Sequence, residues 1–211
     1  MFSFAAPMSK KELIMQKAIE LFSTYGFDNT PIRELCQHAG VNIAMINYYF
    51  GSKEGLFEEI IEYKSHHMKE VLQGLQADTS MNEMEKVNLL IDQYVNRIWS
   101  HPLFHRILHQ EMLLKTRPEV NRIIEKMFQR NMQIIKGILE EGMNKGIFRK
   151  VDPEFTIATM MGTITQFMNT PALYIQLSGG EQLLDPYQDE GLRDRLITHL
   201  KQLMKAHLLN K

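Results

Sequence analysis

Glycines at positions 26, 40 and 51 cut the stretch from Ile14 to Phe57 into short helical pieces, and this punctuation constrains the fold more than any other feature. Ile14, Ala18, Leu21 and Phe22 recur at helical spacing, with Lys, Gln and Glu between them. That helix should stop at Tyr25-Gly26, where glycine can take the positive φ of a C-terminal cap. Thr30 before Pro31 reads as an N-cap followed by proline at the first helical position. Ile32, Leu35, Cys36 and Ala39 give the second piece an apolar side, and Gly40 ends it. Asn42 is placed to cap a third piece from Ile43 to Phe50; Gly51 closes it, and Ser52 caps a longer helix to about Leu75. Helices this short are marginal in isolation, so they must pack on one another. Two short helices joined at Gly40 make a compact helix-turn-helix.

The remaining sequence repeats this grammar at greater length. Ser80 with Glu83 suggests a capping box for a helix to about Ser100. Further helices are expected from Pro102 to Leu114, from Pro118 to about Lys145, and from Asp189 to about Leu209. Asp152-Pro153 opens an uncharged run from Phe155 to Gly180. No alternating pattern of useful length signals a strand, and no internal repeat is visible. The expected fold is all-α: an N-terminal three-helix helix-turn-helix unit over residues 8–54 and a larger helical domain over 55–211. The uncharged run is long enough to span a bilayer. Its five threonines (156, 159, 163, 165 and 170), with Gln166, Asn169, Gln176 and Pro171, make it too polar for that. A helix apolar on most sides is better buried between partners, as a core element that also meets a second subunit. Gly162 would allow close approach there, and Leu192, Leu196, Leu200 and Met204 repeat at i+4 on the last helix. These two helices are the expected subunit interface.

Cys36 is the single cysteine, so no internal disulfide is possible and a reducing compartment fits. No leading stretch combines a basic region, a long apolar core and a small-residue cleavage site, which leads us to expect a cytoplasmic protein without a membrane partner. Net charge is −1. Over residues 1–53, Lys10, Lys11, Lys17, Arg33 and Lys53 stand against Glu12, Glu20, Asp28 and Glu34, leaving +1. Phosphate neutralisation supplies most non-specific DNA affinity, so any DNA contact here must rely on local geometry and helix N-termini.

The residues AIELFSTYGFDNTPIRELCQHAGVNIAMINYYFGSKEGLFEEI closely resemble the N-terminal signature of the TetR family of bacterial transcriptional regulators. Phe22, Gly26-Phe27, Thr30, Arg33-Glu34-Leu35, Ala39-Gly40-Val41, Tyr49-Phe50 and Ser52-Lys53-Glu54 carry the match. The resemblance implies that Thr30 touches a phosphate, that Arg33 reaches a base or the backbone, and that Tyr49 and Lys53 grip the DNA backbone. Arginine suits the O6 and N7 acceptors of guanine, and Arg33 with Tyr48 is expected to contribute sequence readout. The chain departs from the family at Asn42, usually serine, and at Asn47, often tyrosine. Asn42 keeps the cap; Asn47 could bond a phosphate or read adenine. Ile43-Ala44-Met45 is apolar where the family presents polar or small residues. Ile43 or Ala44 should therefore be exposed without DNA and meet thymine methyls in the complex. Val41, Ile46 and Phe50 are expected in the core, with Cys36 as a buried, inert thiol.

By the same resemblance the later helices form a ligand-binding and dimerisation domain. A homodimer would then bind a palindromic double-stranded DNA operator as a repressor and be released when a small molecule occupies that domain. Trp99, Phe104, Met112, Met127, Phe128, Met160, Met161, Phe167 and Met168 supply flexible apolar surface. His105, His109, Glu111 and Gln166 are polar candidates, which points to a mainly apolar molecule with one polar or acidic group. His101, His105 and His109 recur every four residues, yet three histidines along one helix cannot converge on one ion without ligands from elsewhere. They are read as pocket-edge or solvated, with no metal and no cofactor. The chain has no phosphate loop, no HExxH and no paired Glu-x-x-His, and Glu140-Glu141 reads as a solvated face; no enzyme is expected. Ligand binding should shift the helix starting at Ser52, which carries Lys53, and so change the separation of the two recognition helices.

Overall fold

Ser9 starts the first helix earlier than the apolar spacing predicts. Its hydroxyl accepts from the Glu12 backbone N–H at 3.2 Å, and the Glu12 carboxylate takes the Ser9 N–H at 2.9 Å. This reciprocal pair opens α1, Lys10–Tyr25. The computed structural model describes residues 8–115, 117–177 and 186–209. α2 is Ile32–Ala39, and here the expected cap is corrected: Pro31 is the N-cap residue and no side chain bonds the helix start. Thr30 is fully buried and donates its hydroxyl hydrogen to the Gly26 carbonyl at 2.8 Å, closing the connector instead. α3 is Ile43–Phe50, with the Asn42 side chain accepting from Met45 N–H at 3.0 Å. Such a cap is worth about 1 kcal/mol. α4, Lys53–Ala77, begins with Ser52 accepting from Gly55 N–H at 3.0 Å. A Cβ on Gly55 would lie 2.1 Å from the Phe50 carbonyl oxygen, so only glycine allows α4 to follow α3 this closely.

α5 is Glu83–Ser100. The expected Ser80–Glu83 box is replaced by Asn82 and Glu85, bonded reciprocally at 3.0 and 2.8 Å, while Ser80 bonds Asp78. Both pairs have the same spacing, and the choice frees Glu83 to turn inward. α6 is Pro102–Leu114, α7 Pro118–Asn144, α8 Pro153–Asn169, α9 Pro171–Leu177 and α10 Glu190–Leu208, with a 3-10 turn at Pro186–Gln188. Asp152 and Asp189 cap α8 and α10, accepting from Phe155 and Leu192 N–H at 2.9 and 3.0 Å. The uncharged run therefore breaks at Thr170-Pro171; Ser178 to Gly180 lie outside the described residues. Among the described residues there is no strand, and no helix is long and apolar enough to cross a membrane.

The chain divides into two compact units, one formed by residues up to Ser65 with Leu103–Glu125, the other by His66–Pro102 with Lys126–Lys211. The helices α4 and α7 each run from one into the other. The first unit is built on three rings: Phe22 and Phe27 with centroids 4.9 Å apart, Phe27 and Phe57 at 5.4 Å, Phe22 and Phe57 at 6.0 Å. Burying one such ring stabilises by roughly 3 kcal/mol. Ile14, Leu35, Ile46 and Leu56 are buried in this unit without exposed surface; Val41 and Phe50 are half-buried. Cys36 is a buried free cysteine, and burial raises its thiol pKa.

In the second unit α10 packs on α5. Leu192, Leu196, Leu200 and Met204 are only 8%, 9%, 0% and 1% exposed within this single chain. The i+4 stripe is thus the protomer's own core, which corrects its reading as an interface stripe. Trp99 stacks on Phe167 at 5.4 Å and meets Tyr187 edge-on at 5.5 Å. Glu83, buried, is bonded by Lys145 at 2.6 Å, and Lys201 holds Asp92 at 2.7 Å.

Candidate nucleic-acid interface

The turn between α2 and α3 is fixed by Gly40 at φ 62° and by Val41 N–H bonding the Cys36 carbonyl at 3.0 Å. With Ile46 pinned in the core, the opposite side of α3 is turned outward. Asn42, Ile43, Ala44, Asn47 and Tyr48 are exposed, Tyr48 by 83%, while Met45 and Tyr49 are half-buried. The expectation that Ile43 or Ala44 is open to solvent holds for both. Tyr48 and Tyr49 meet edge-to-face at 5.1 Å, and Tyr49 leans on Phe50 at 6.0 Å. Arg33 is exposed on the first turn of α2. An early segment of α3 with Asn47 and Tyr48 one turn on is therefore brought to one surface. Thr30 is not part of it: its side chain is interior, and its hydroxyl is already committed to Gly26.

Lys53 is half-buried, and its ammonium donates to the Phe27 carbonyl oxygen. It also lies 4.3 Å from the Phe27 ring centre and 5.8 Å from that of Phe22. Burial lowers its pKa, against the pull of Asp28 and Glu54. Arg117 sits 4.1 Å from the same Phe27 ring and pairs with both Asp28 and Glu111. Glu111 is 3% exposed, so the polar residue read from sequence as a pocket candidate is a buried ion-pair partner. The α1–α2 connector is thus held between a cation from α4 and one that immediately precedes α7. No local pattern links Asp28 with Arg117, and sequence reasoning missed the pair.

The residues expected around a ligand are shared between the two units. Phe104, His105, His109 and Met112 belong to the first unit; Trp99, Met127, Phe128, Met161 and Gln166 belong to the second. Phe104 and Trp99 are buried, Met127, Phe128 and Met161 half-buried, and Met112 exposed. Gln166 is exposed and its amide reaches the Thr170 hydroxyl at 3.4 Å. His105 and His109 are half-buried, and burial lowers the pKa of His109. Among the described residues no group of three His, Cys, Asp or Glu side chains could hold a metal ion. Three polar residues of the second unit escaped sequence reading: the buried Tyr94 and half-buried Arg97 on α5, and the buried Asn131 on α7. Their signal was present, since Tyr94 and Arg97 lie one turn apart beside the apolar Leu90, Ile91 and Ile98.

An outward-facing second helix on a rigid three-helix base, followed by a larger helical unit, defines a helix-turn-helix regulator. Residues 14–60 match the family described as "Bacterial regulatory proteins, tetR family", and residues 84–199 match "Tetracyclin repressor-like, C-terminal domain". The chain belongs to the TetR family of bacterial transcriptional regulators. It is 34% identical over 145 residues to the "HTH-type transcriptional repressor NicS" of Pseudomonas putida, a match spanning 66% of each chain. It is 26% identical over 136 residues to the "Probable HTH-type transcriptional regulator YttP" of Bacillus subtilis, spanning 64% of this chain and 65% of that one. The matches thus cover just under two thirds of these curated relatives. The fold is also that of the ketosteroid transcriptional regulator KstR2 of Mycobacterium tuberculosis, with a TM-score of 0.76 at 16% identity over 97% of each chain.

Proposed function

We propose that the protein is a ligand-responsive transcriptional repressor that binds a palindromic operator as a homodimer. The observation that carries this reading is the outward face of α3, with Ile43, Ala44, Asn47 and Tyr48 exposed around a fully buried Ile46. A recognition helix enters the major groove and offers its early residues to base edges. Ile43 and Ala44 then meet thymine methyls, Arg33 and Tyr48 contribute readout, and Asn42, Asn47, Tyr49 and Lys53 hold the backbone. Lys53 retains two further ammonium hydrogens beyond the one given to Phe27. Recognition of this kind involves no covalent chemistry, so no enzymatic step is proposed. The cytoplasm, where bacterial DNA lies, is the compartment this activity requires.

A second copy is required because two half-sites lie about 34–36 Å apart. The face of α8 bearing Phe155, Ala158, Thr159 and Gly162 supports this, being exposed, uncharged and 75% open at Phe155. A Cβ added at Gly162 meets nothing within 4 Å among the described residues. Gly162→Glu is accordingly expected to fold with unchanged helicity and to run as a monomer by sedimentation, losing operator affinity. A dimer of undiminished stability would place the interface elsewhere.

Effector response runs through the connector clamped by Lys53 and Arg117. A ligand can shift it only by binding two arrangements of the helices with different affinities. The operator is found by selecting the purified full-length protein against random duplex DNA. A recovered sequence with two-fold symmetry supports the reading; recovery of no enriched sequence overturns it.

A further inference from the structure

Arg97, half-buried on α5, lacks the carboxylate partner that several cations of its unit have. Lys136 pairs with Glu154, Lys145 with Glu83 and Glu141, Lys201 with Asp92, and Arg193 with Asp194. No carboxylate among the described residues lies within ion-pair distance of Arg97, and its Nη2 is buried without a hydrogen-bond partner. The Tyr94 hydroxyl and the Asn131 carbonyl oxygen are likewise buried without a hydrogen bond of good geometry, the Asn131 amide lying beside the Tyr94 hydroxyl, and both residues are 5% exposed. These groups belong together. Burial pushes the Tyr94 phenol up to about 12, against the opposing influence of the Asn131 amide and the Arg97 charge. Burial lowers the Arg97 pKa, and among the described residues Tyr94 is the one ionisable group coupled to it.

Buried polar groups are normally satisfied, and a cluster of orphans from two helices calls for a partner. We propose that Arg97, Tyr94 and Asn131 form the head-group site of the effector, and that the effector is a small organic carboxylate with an apolar body. This rests on the regulator reading above and names its ligand class. Tyr94 stays neutral at physiological pH, so it cannot neutralise Arg97; it offers an O–H donor. Arg97 and Tyr94 together address the oxygens of one carboxylate, the pairing for which a guanidinium is best shaped. Turned over, the Asn131 amide adds a third donor. A single positive charge compensates a monoanion; a phosphate monoester would leave negative charge uncompensated in the interior. The half-buried Met132, Met161 and Met168 belong to the same core and adapt readily to an apolar body.

Trp99, the only tryptophan, lies two residues beyond Arg97 on α5 and reports binding by its fluorescence without any DNA present. The full chain is titrated with octanoate, octanol, octyl phosphate and octyltrimethylammonium, and with 2-naphthoate against 2-naphthalenemethanol. The carboxylates are expected to bind saturably, at least tenfold tighter than their matched alcohols and tighter than the phosphate; the cation is not expected to bind. Arg97→Met should abolish the preference for carboxylate over alcohol, and Tyr94→Phe should weaken carboxylate binding three- to tenfold. Should Arg97→Met fail to fold, the wild-type carboxylate–alcohol comparison and Tyr94→Phe still decide. Equal binding of acid and alcohol, tighter binding of the phosphate, or undiminished carboxylate binding by Tyr94→Phe overturns the proposal. Operator binding that persists without carboxylate preference sinks this inference alone. Carboxylate binding by a protein that selects no DNA sequence sinks the regulator reading alone.

Discussion

Arg33 and Asn42 sit within ten residues of one another, yet their substitutions should separate two kinds of loss. Arg33 is exposed and makes no contact that holds the fold, so Arg33→Ala should leave stability unchanged. If it reads guanine, it is worth about 1–3 kcal/mol on the matched operator, a ten- to hundredfold loss, and much less on an operator mutated at that base. Equal losses on both, measured by fluorescence anisotropy, would reassign it to the phosphate backbone. Asn42→Ala removes the bond to Met45 N–H and should cost about 1 kcal/mol in urea denaturation. That cap was legible because both partners lie within four residues. Thr30 was misread for the converse reason: its hydroxyl could accept from a backbone N–H at the start of α2 or donate to the Gly26 carbonyl, and in the buried connector it donates to Gly26.

At the scale of elements, helix identities were legible and several starts were not. Apolar spacing locates the buried face of a helix, but Ser9 and Asn82 lie upstream of the first apolar residue and are found only from their bonds. Choosing Asn82 over Ser80 put Glu83 in the interior beside Lys145. Burial alone would raise the Glu83 pKa, but the hydrogen bond and charge of Lys145 and its own backbone N–H outweigh it, and the group ends below its ordinary 4.5. A carboxylate depressed in the folded state adds stability above its unfolded pKa and loses it as pH falls through the lowered value. Glu83→Gln should therefore be less stable than the parent at pH 7, and the two should converge as pH falls through the lowered pKa of Glu83. A constant difference across that window, by thermal denaturation, would refute this. Arg117→Met should cost about 3 kcal/mol, because it strands the buried Glu111 carboxylate. Adding Glu111→Met should restore most of it. If it does not, Phe27 and Asp28 rather than Glu111 are what Arg117 serves.

For the molecule as a whole, the two-unit all-helical plan could be read from the sequence, and the distribution of residues between the units could not. α6 and the start of α7 group with the first unit, and the Arg117–Asp28 pair joins positions 89 residues apart within it, a contact that no pattern announces. The final helix shows the same limit, since an apolar stripe looks identical whether it faces a partner or its own α5. Charge belongs to this scale too. With Lys53 as the main phosphate-gripping cation and Arg33 committed to a base, a dimer neutralises about two phosphates by these side chains, and the slope of log affinity against log salt should be near −2. A slope near −10 would mean that a basic surface, not α3, drives binding. The near-neutral reading unit also bears on how the operator is found. A regulator that clings weakly to random sequence spends little time parked on the chromosome and slides only short distances. It must search by repeated free encounters, and in exchange a small number of molecules per cell stays available to one site.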